Sequence, residues 1–376
     1  MRLQQSSRYR PVKIGSLELS GNLFLAPVAG YTDRAFRSLC AEEGACFSFT
    51  ELISAEALYR NFGRYGLIDP DFISQGRDGY SVHGAQEEAN NGRKKADGNN
   101  DRKISSAVLA AVNLVKRGDN EKRYAIQLFG AESESIYKAA ALLAPLEPDA
   151  LDINCGCPVP KVVKNGAGSA MMKNPANLGR VVEAAVRASR ESLGGVPVTV
   201  KMRSGWDSAS INYVQCARIA VEAGAAMISL HPRTRAQNYS GKSDWTHIAD
   251  LASRLSVPVT GSGDLYTPQD AERMLSETGC AAVMFARGAQ GNPFIFSAAR
   301  SFLETGAWEP APVSARIATV MRHLEMLASD TGERTACLEM RKQVCAYTKG
   351  FIGGAALREK AVHAQTIEDY RRILQN

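Results

Sequence analysis

Short apolar segments rich in branched residues recur along this chain, each followed by a polar turn and then a stretch with helical spacing. Strand candidates fall at 22–29, 47–52, 124–129, 150–154, 197–203, 227–232, 258–263 and 282–287, eight in all. Helical spacing runs between them, for example over 33–43, 175–191, 210–223 and 268–277. Thr267-Pro268-Gln269-Asp270 carries a helix start, with a capping threonine, proline at the first position and an acidic residue in the first turn. Alternation of strand and helix predicts a parallel sheet, and eight repeats predict closure into a (β/α)8 TIM barrel of the α/β class. An open doubly wound sheet fits less well, because no Gly-x-Gly-x-x-Gly follows the first strand.

Two regions depart from this rhythm. Residues 76–122 are polar, with Asn90-Asn91-Gly92-Arg93-Lys94-Lys95 at their centre, and read as a solvated loop inserted between strands two and three. Within them 104–115 has the spacing of one amphipathic helix. After Trp308-Glu309-Pro310-Ala311-Pro312 the pattern becomes purely helical to Asn376. The expected organisation is a barrel domain over 1–308 and an all-helical domain over 313–376. That tail holds ten Lys/Arg against seven Asp/Glu over 315–376, which suits a polyanionic partner.

Composition narrows the class. No apolar run approaches the ~18 residues of a membrane span, and Met1-Arg2-Leu3-Gln4-Gln5 lacks a signal-peptide core, so a soluble, cytoplasmic protein with no membrane partner is expected. The eight cysteines are scattered, which suits reduced thiols better than a disulfide framework. Cys155-Gly156-Cys157 has no second pair or histidine cluster at zinc spacing, so no metal is expected. A monomer is the expected state.

The stretch richest in chemistry is Asp152-Ile153-Asn154-Cys155-Gly156-Cys157-Pro158. A thiol just past a buried strand, in a loop too tight for regular structure, sits where barrel enzymes keep reactive groups. The segment resembles the Asn-x-Gly-Cys-Pro signature of the tRNA-dihydrouridine synthases, flavin enzymes that reduce uridine in tRNA. Ala26-Pro27-Val28-Ala29-Gly30-Tyr31-Thr32-Asp33, Lys201-Met202-Arg203, His231-Pro232-Arg233, Ser262-Gly263-Asp264 and Ala286-Arg287 follow the family in order, closest to its bacterial B-type branch. The family usually has asparagine where Ser262 stands and glycine where Ala286 stands. If either position needs the original side chain or a glycine-only backbone, cofactor affinity should drop.

The resemblance implies flavin mononucleotide (FMN) held by Pro27, Val28, Ala29, Gln127, Lys201, His231, Ser262, Gly263, Asp264, Ala286 and Arg287, with NADPH (or NADH) as reductant. It implies that hydride reaches uracil C6 from flavin N5 while Cys157 gives a proton to C5, and that Cys155 is a non-catalytic neighbour. Asn154, Lys161, Arg203 and Arg233 would hold the nucleotide, and the partner would be tRNA. Two rival readings are an FMN barrel dehydrogenase acting on a small pyrimidine and an RNA-binding relative without catalysis. The basic helical tail argues against the first; Cys157, Lys201 and His231 together argue against the second.

Overall fold

A computed structural model of the chain describes residues 8–62 and 113–375. The strands are β1 (Val12–Ile14), β2 (Leu17–Leu19), β3 (Leu23–Leu25), β4 (Phe47–Phe49), β5 (Ile53–Ser54), β6 (Tyr124–Phe129), β7 (Ala150–Cys155), β8 (Val198–Gly205), β9 (Met227–Thr234), β10 (Val259–Ser262) and β11 (Ala282–Phe285). Around the barrel, β3, β4, β6, β7, β8, β9, β10 and β11 are paired in parallel, and the β11–β3 and β4–β6 ladders close the ring. The two-residue β5 prolongs β4 and pairs with the end of β6. The expected (β/α)8 barrel is therefore the observed fold.

Alternation along each strand decides what faces in. Leu23, Leu25, Ile126, Leu128, Leu151, Ile153, Val200 and Ile228 point outward into the layer under the helices. Phe24, Phe47, Phe49, Ala125, Ala150, Met227, Ala282 and Met284 point inward. They meet Val12, Ile14, Leu17 and Leu19 of the antiparallel β1–β2 hairpin, which lies across the strand N-termini. Gly15 turns that hairpin at φ +55°, a conformation that favours glycine. The hairpin escaped the sequence reading because each of its strands is only three residues long.

The helices are α1 (Arg34–Glu42), α2 (Ala55–Phe62), α3 (Ser133–Leu142), α4 (Pro160–Val163), α5 (Pro175–Ser192), α6 (Tyr213–Glu222), α7 (Thr246–Arg254), α8 (Pro268–Thr278) and α9 (Ile295–Thr305). Helix α8 starts on a capping box between Thr267 and Asp270. Beyond Pro312 come α10 (Val313–Thr331), α11 (Glu333–Tyr347), α12 (Gly354–Ala361) and α13 (Ile367–Gln375). Val320, Leu324, Met340, Val344 and Tyr347 join the same hydrophobic cluster as Phe36 and Cys40 of α1. His323 stacks on Phe36 and its Nε2 lies 3.2 Å from the Asp33 carboxylate, while Arg34 pairs with Asp330 at 2.7 Å. The tail thus grips the turn that follows β3.

One expectation needs correction. The solvated loop anticipated as far as residue 122 ends earlier, because the stretch leading into β6 is anchored. The Glu121 side chain is fully buried against Arg37, 2.9 Å away, and also accepts from Ser48 and the Gly118 amide. Removing one partner of such a buried pair costs about 3–5 kcal/mol. The remainder of that insertion, with most of the helix expected over 104–115, lies outside the described residues.

Candidate active site

At the C-terminal ends of the strands the barrel opens into a cavity of about 500 Å³. That lies within the range of small-molecule sites, about 300–1,000 Å³. Inward positions become polar towards this end: Gln127, Asp152 and Asn154, then Lys201, Arg203, His231 and Arg233. The inside of the barrel thus grades from an apolar base to a charged mouth.

One wall carries the thiol. Asn154 ends the inward row of β7, and its Oδ1 accepts the amides of Gly156 (3.2 Å) and Cys157 (2.9 Å). Arg203 donates from Nε to the Gly156 carbonyl at 2.9 Å, and Ser169 donates from its amide and hydroxyl to the Cys157 carbonyl. Gly168, at φ +60°, leaves no room for a side chain, since an added Cβ would stand 2.7 Å from that carbonyl. The loop is therefore fixed, and it presents Cys157 to the cavity. Burial pushes the Cys157 thiol up, against the opposing pull of the Val159 amide, Arg203 and Lys201, so it is protonated at neutral pH. Cys155, one pleat earlier on the outward side, is wholly buried.

Cations and a neutral imidazole form the rest of the lining, beginning beside the thiol, since Lys201 pairs in register with Asn154. Lys201 makes no hydrogen bond or ion pair within the described residues, and burial with the nearby Arg203 guanidinium brings it down to about 8. His231 is held well below its ordinary value by burial and by Lys201, Arg203, Arg233 and Arg287. Its Nε2 accepts from Arg233 Nη1 at 3.2 Å, which places the ring proton on Nδ1. Asp264 links Arg233 (2.7 Å) to Arg287 (3.0 Å) and accepts the Ser243 amide. Its backbone is left-handed at φ 56°, beside Gly263 at φ 109°. A Cβ on Gly263 would meet Ser243 Oγ at 2.3 Å and His231 Cδ2 at 2.7 Å, so only glycine fits. Outside, Tyr239 and Tyr266 flank the Arg287 guanidinium at 4.8 and 5.4 Å from their ring centres.

The Dihydrouridine synthase (Dus) family matches residues 104–375. The chain is 40% identical over 379 residues to a "Probable tRNA-dihydrouridine synthase" of Treponema pallidum, covering 100% of this chain and 98% of that one. It is 31% identical to "Probable tRNA-dihydrouridine synthase 1" of Synechocystis, over 97% of this chain and 88% of that one. It is 32% identical to "tRNA-dihydrouridine synthase B" of Xanthomonas campestris, over 95% and 92%. The chain belongs to the dihydrouridine synthase family. The match to residues 104–375 starts beyond β3 and β4, but the Treponema relative spans those strands too.

Within this dihydrouridine synthase family member, Pro27, Val28, Ala29, Asn154, Cys157, Lys201, Arg203, His231, Ser262, Gly263, Asp264, Ala286 and Arg287 all line one cavity. Three residues expected at the site stand apart from its surface. Gln127 is wholly buried below the floor, its amide engaged by Asp152 and Asn154. Arg233 is buried behind His231 and bound to Asp264 and to the Ser240 and Gly241 carbonyls. Lys161 is exposed on α4 and does not line the cavity. Ser262 donates to the Met284 carbonyl, and Ala286 is not among the left-handed residues, so neither departure from the family pattern strains the backbone. Residues the sequence reading passed over are Asn238, Tyr239, Tyr266 and Gln290, each in a loop after a strand end. Among the described residues no helix is long and apolar enough to cross a membrane.

Proposed function

We propose that this protein is a cytoplasmic, monomeric tRNA-dihydrouridine synthase that binds FMN, takes its electrons from NADPH and reduces uridine in tRNA. The observation that carries the reading is the Cys157 thiol lining the same cavity as Lys201, whose ammonium has no hydrogen-bond or ion-pair partner among the described residues. A phosphorylated, electron-accepting ring suits that wall. Lys201 would lie against the ring's electron-rich edge, the Nδ1–H of His231 would donate to it, and Pro27, Val28 and Ala29 would form its apolar side. Gly263 lets the backbone approach a phosphate closely, with Arg287 alongside. Asp264 contributes there through its backbone, its carboxylate being spent on Arg233 and Arg287.

When bound, the reduced flavin supplies the hydride for uracil C6. Cys157 supplies the proton for C5, for which a thiol raised by burial is in the right state at neutral pH. The thiolate left behind is stabilised by Arg203 and Lys201, both of which favour its charged form. Arg203 also locks the thiol loop to the segment after β9, through the Gly156, Thr234 and Asn238 carbonyls. The Asn154 amide and the Tyr239 ring are the groups closest in kind to what a flipped uracil needs, one polar edge and one face. Lys161 and the exposed lysines of the tail are left for phosphates.

Incubating the purified protein with unmodified tRNA, FMN and NADPH, then quantifying dihydrouridine by mass spectrometry, tests this reading. Dihydrouridine in tRNA, with no turnover of free uracil or orotate, is the expected result. Turnover of the free pyrimidine alone would overturn it in favour of a small-molecule dehydrogenase.

A further inference from the structure

Directly beneath the thiol wall lies a chain of hydrogen bonds that the reaction as described does not use. Asp152 is wholly buried in the row below Asn154. One of its oxygens accepts from Gln127 Nε2 at 2.6 Å and the other from the Thr199 hydroxyl at 2.5 Å. Gln127 Oε1 accepts from Asn154 Nδ2 at 2.8 Å, and Asn154 Oδ1 accepts the Gly156 and Cys157 amides. Every donor in this sequence points the same way.

An amide has two nearly isosteric ends, so a buried glutamine or asparagine has no steric reason to prefer one orientation. A carboxylate can only accept. Its presence at one end forces Nε2 of Gln127 towards it, turns Oε1 to Asn154, and thereby turns Asn154 Oδ1 to the loop amides. Were Asn154 reversed, Nδ2 would face two N–H groups and the loop would lose its anchor.

We propose that Asp152 is a positioning residue: through Gln127 and Asn154 it sets the orientation of the loop that carries Cys157. The inference rests on the reading of Cys157 as the proton donor, but the arrangement can be probed without the reaction. Burial raises Asp152 to about 7, against the hydrogen bonds of Gln127 and Thr199 and the charge of Lys201, so the one-way order is that of the ionised carboxyl above this value.

The test is a rescue. Asp152→Asn removes the constraint, because the new amide can accept from Thr199 and turn its Nδ2 to Gln127, which reverses Gln127 and then Asn154. Adding Gln127→Glu restores the one-way order at the loop, because Asn154 and the new asparagine both donate to the glutamate. In Asp152→Asn, kcat for dihydrouridine formation should fall roughly 10- to 100-fold, the loss of one charge-assisted hydrogen bond, with KM for tRNA nearly unchanged. The double variant should recover most of the loss. Alkylation of Cys157 by iodoacetamide, followed by mass spectrometry across pH, reads the loop directly. In the single variant its midpoint should move down towards that of an ordinary thiol, about 8.5, and in the double variant it should return. Should Asp152→Asn fail to fold, Asp152→Ala is measured the same way and is expected to lower both kcat and the midpoint. A folded variant with a wild-type alkylation profile, or a double variant no better than the single, would overturn the proposal. Absence of dihydrouridine with the wild-type protein would instead overturn the proposed function and leave the alkylation result standing.

Discussion

The two walls of the cavity are built on opposite electrostatic plans. Among the described residues the wall after β7 brings no charged side chain to the cavity: backbone amides, an asparagine and a thiol whose burial favours the protonated form. The wall formed after β8 to β11 holds Lys201 and Arg203, and Arg233 and Arg287 paired with one carboxylate, Asp264. One side can release a proton, and the other can hold negative charge. Reducing a carbon–carbon double bond needs both at once, and both line the same cavity. The same positive field that would settle an anionic ligand would also receive the thiolate left by the proposed proton transfer.

The strongest way to break this division is to remove the thiol. Cys157→Ala should leave a folded, flavin-loaded protein still reduced by NADPH, with dihydrouridine formation down about 10²–10⁴-fold. Cys155→Ala, on the outward side of β7 just before the loop, should stay close to wild type. Equal losses in stopped-flow and product assays would mean the wall has been misread.

On the cationic wall, Lys201→Ala should weaken FMN binding by roughly 10- to 100-fold, the loss of a charge-assisted contact. His231→Ala removes only a neutral donor and should cost a few-fold. Fluorescence titration of the apoprotein measures both, and a larger effect at His231 would reverse the ranking.

The pH response sharpens the contrast further. A lysine lowered to about 8 carries its charge below that value and loses it above. Affinity for FMN should therefore fall as pH rises from 7 through about 8, and the Lys201→Ala variant should show a flatter profile over that window. A wild-type profile level to pH 9 would detach Lys201 from the ligand. The smallest effect is expected far from both walls, at Lys349, exposed after α11. Lys349→Ala should lower the slope of tRNA affinity against salt by about one and leave flavin reduction by NADPH alone. An unchanged slope in gel-shift titrations would remove it from the RNA surface.

Much of the fold was legible because strand alternation and helix starts are local signals. Tyr124–Phe129 matches its expected bounds. β8 and β9 end two residues later than expected, at Gly205 and Thr234, which pair across an irregularity that no apolar pattern marks. For the site, alternation tells which residues face inward but not how deep they lie. Gln127 and Arg233 share the inward face with Lys201 and His231, yet one sits below the floor and the other behind the wall. Asp152 stood inside the thiol motif, and its meaning depends on neighbours from two other strands. Tyr239 and Tyr266 sit among polar loop residues with no periodicity to single them out. The tail illustrates the same limit: its basic residues are countable, but Arg341 and Arg358 prove to be tied to the Ala364 and Thr348 carbonyls, which leaves Lys342 and Lys349 more open.

The β1–β2 hairpin has a kinetic consequence. With Val12, Ile14, Leu17 and Leu19 stoppering one end of the barrel, the cavity among the described residues is a room with its doorway at the other end. Whatever delivers electrons and whatever receives them must come and go by that doorway, and two bulky visitors cannot stand in it together. Turnover should then proceed in two separate visits, with parallel rather than converging lines when initial rates are plotted in double-reciprocal form against one substrate at fixed levels of the other.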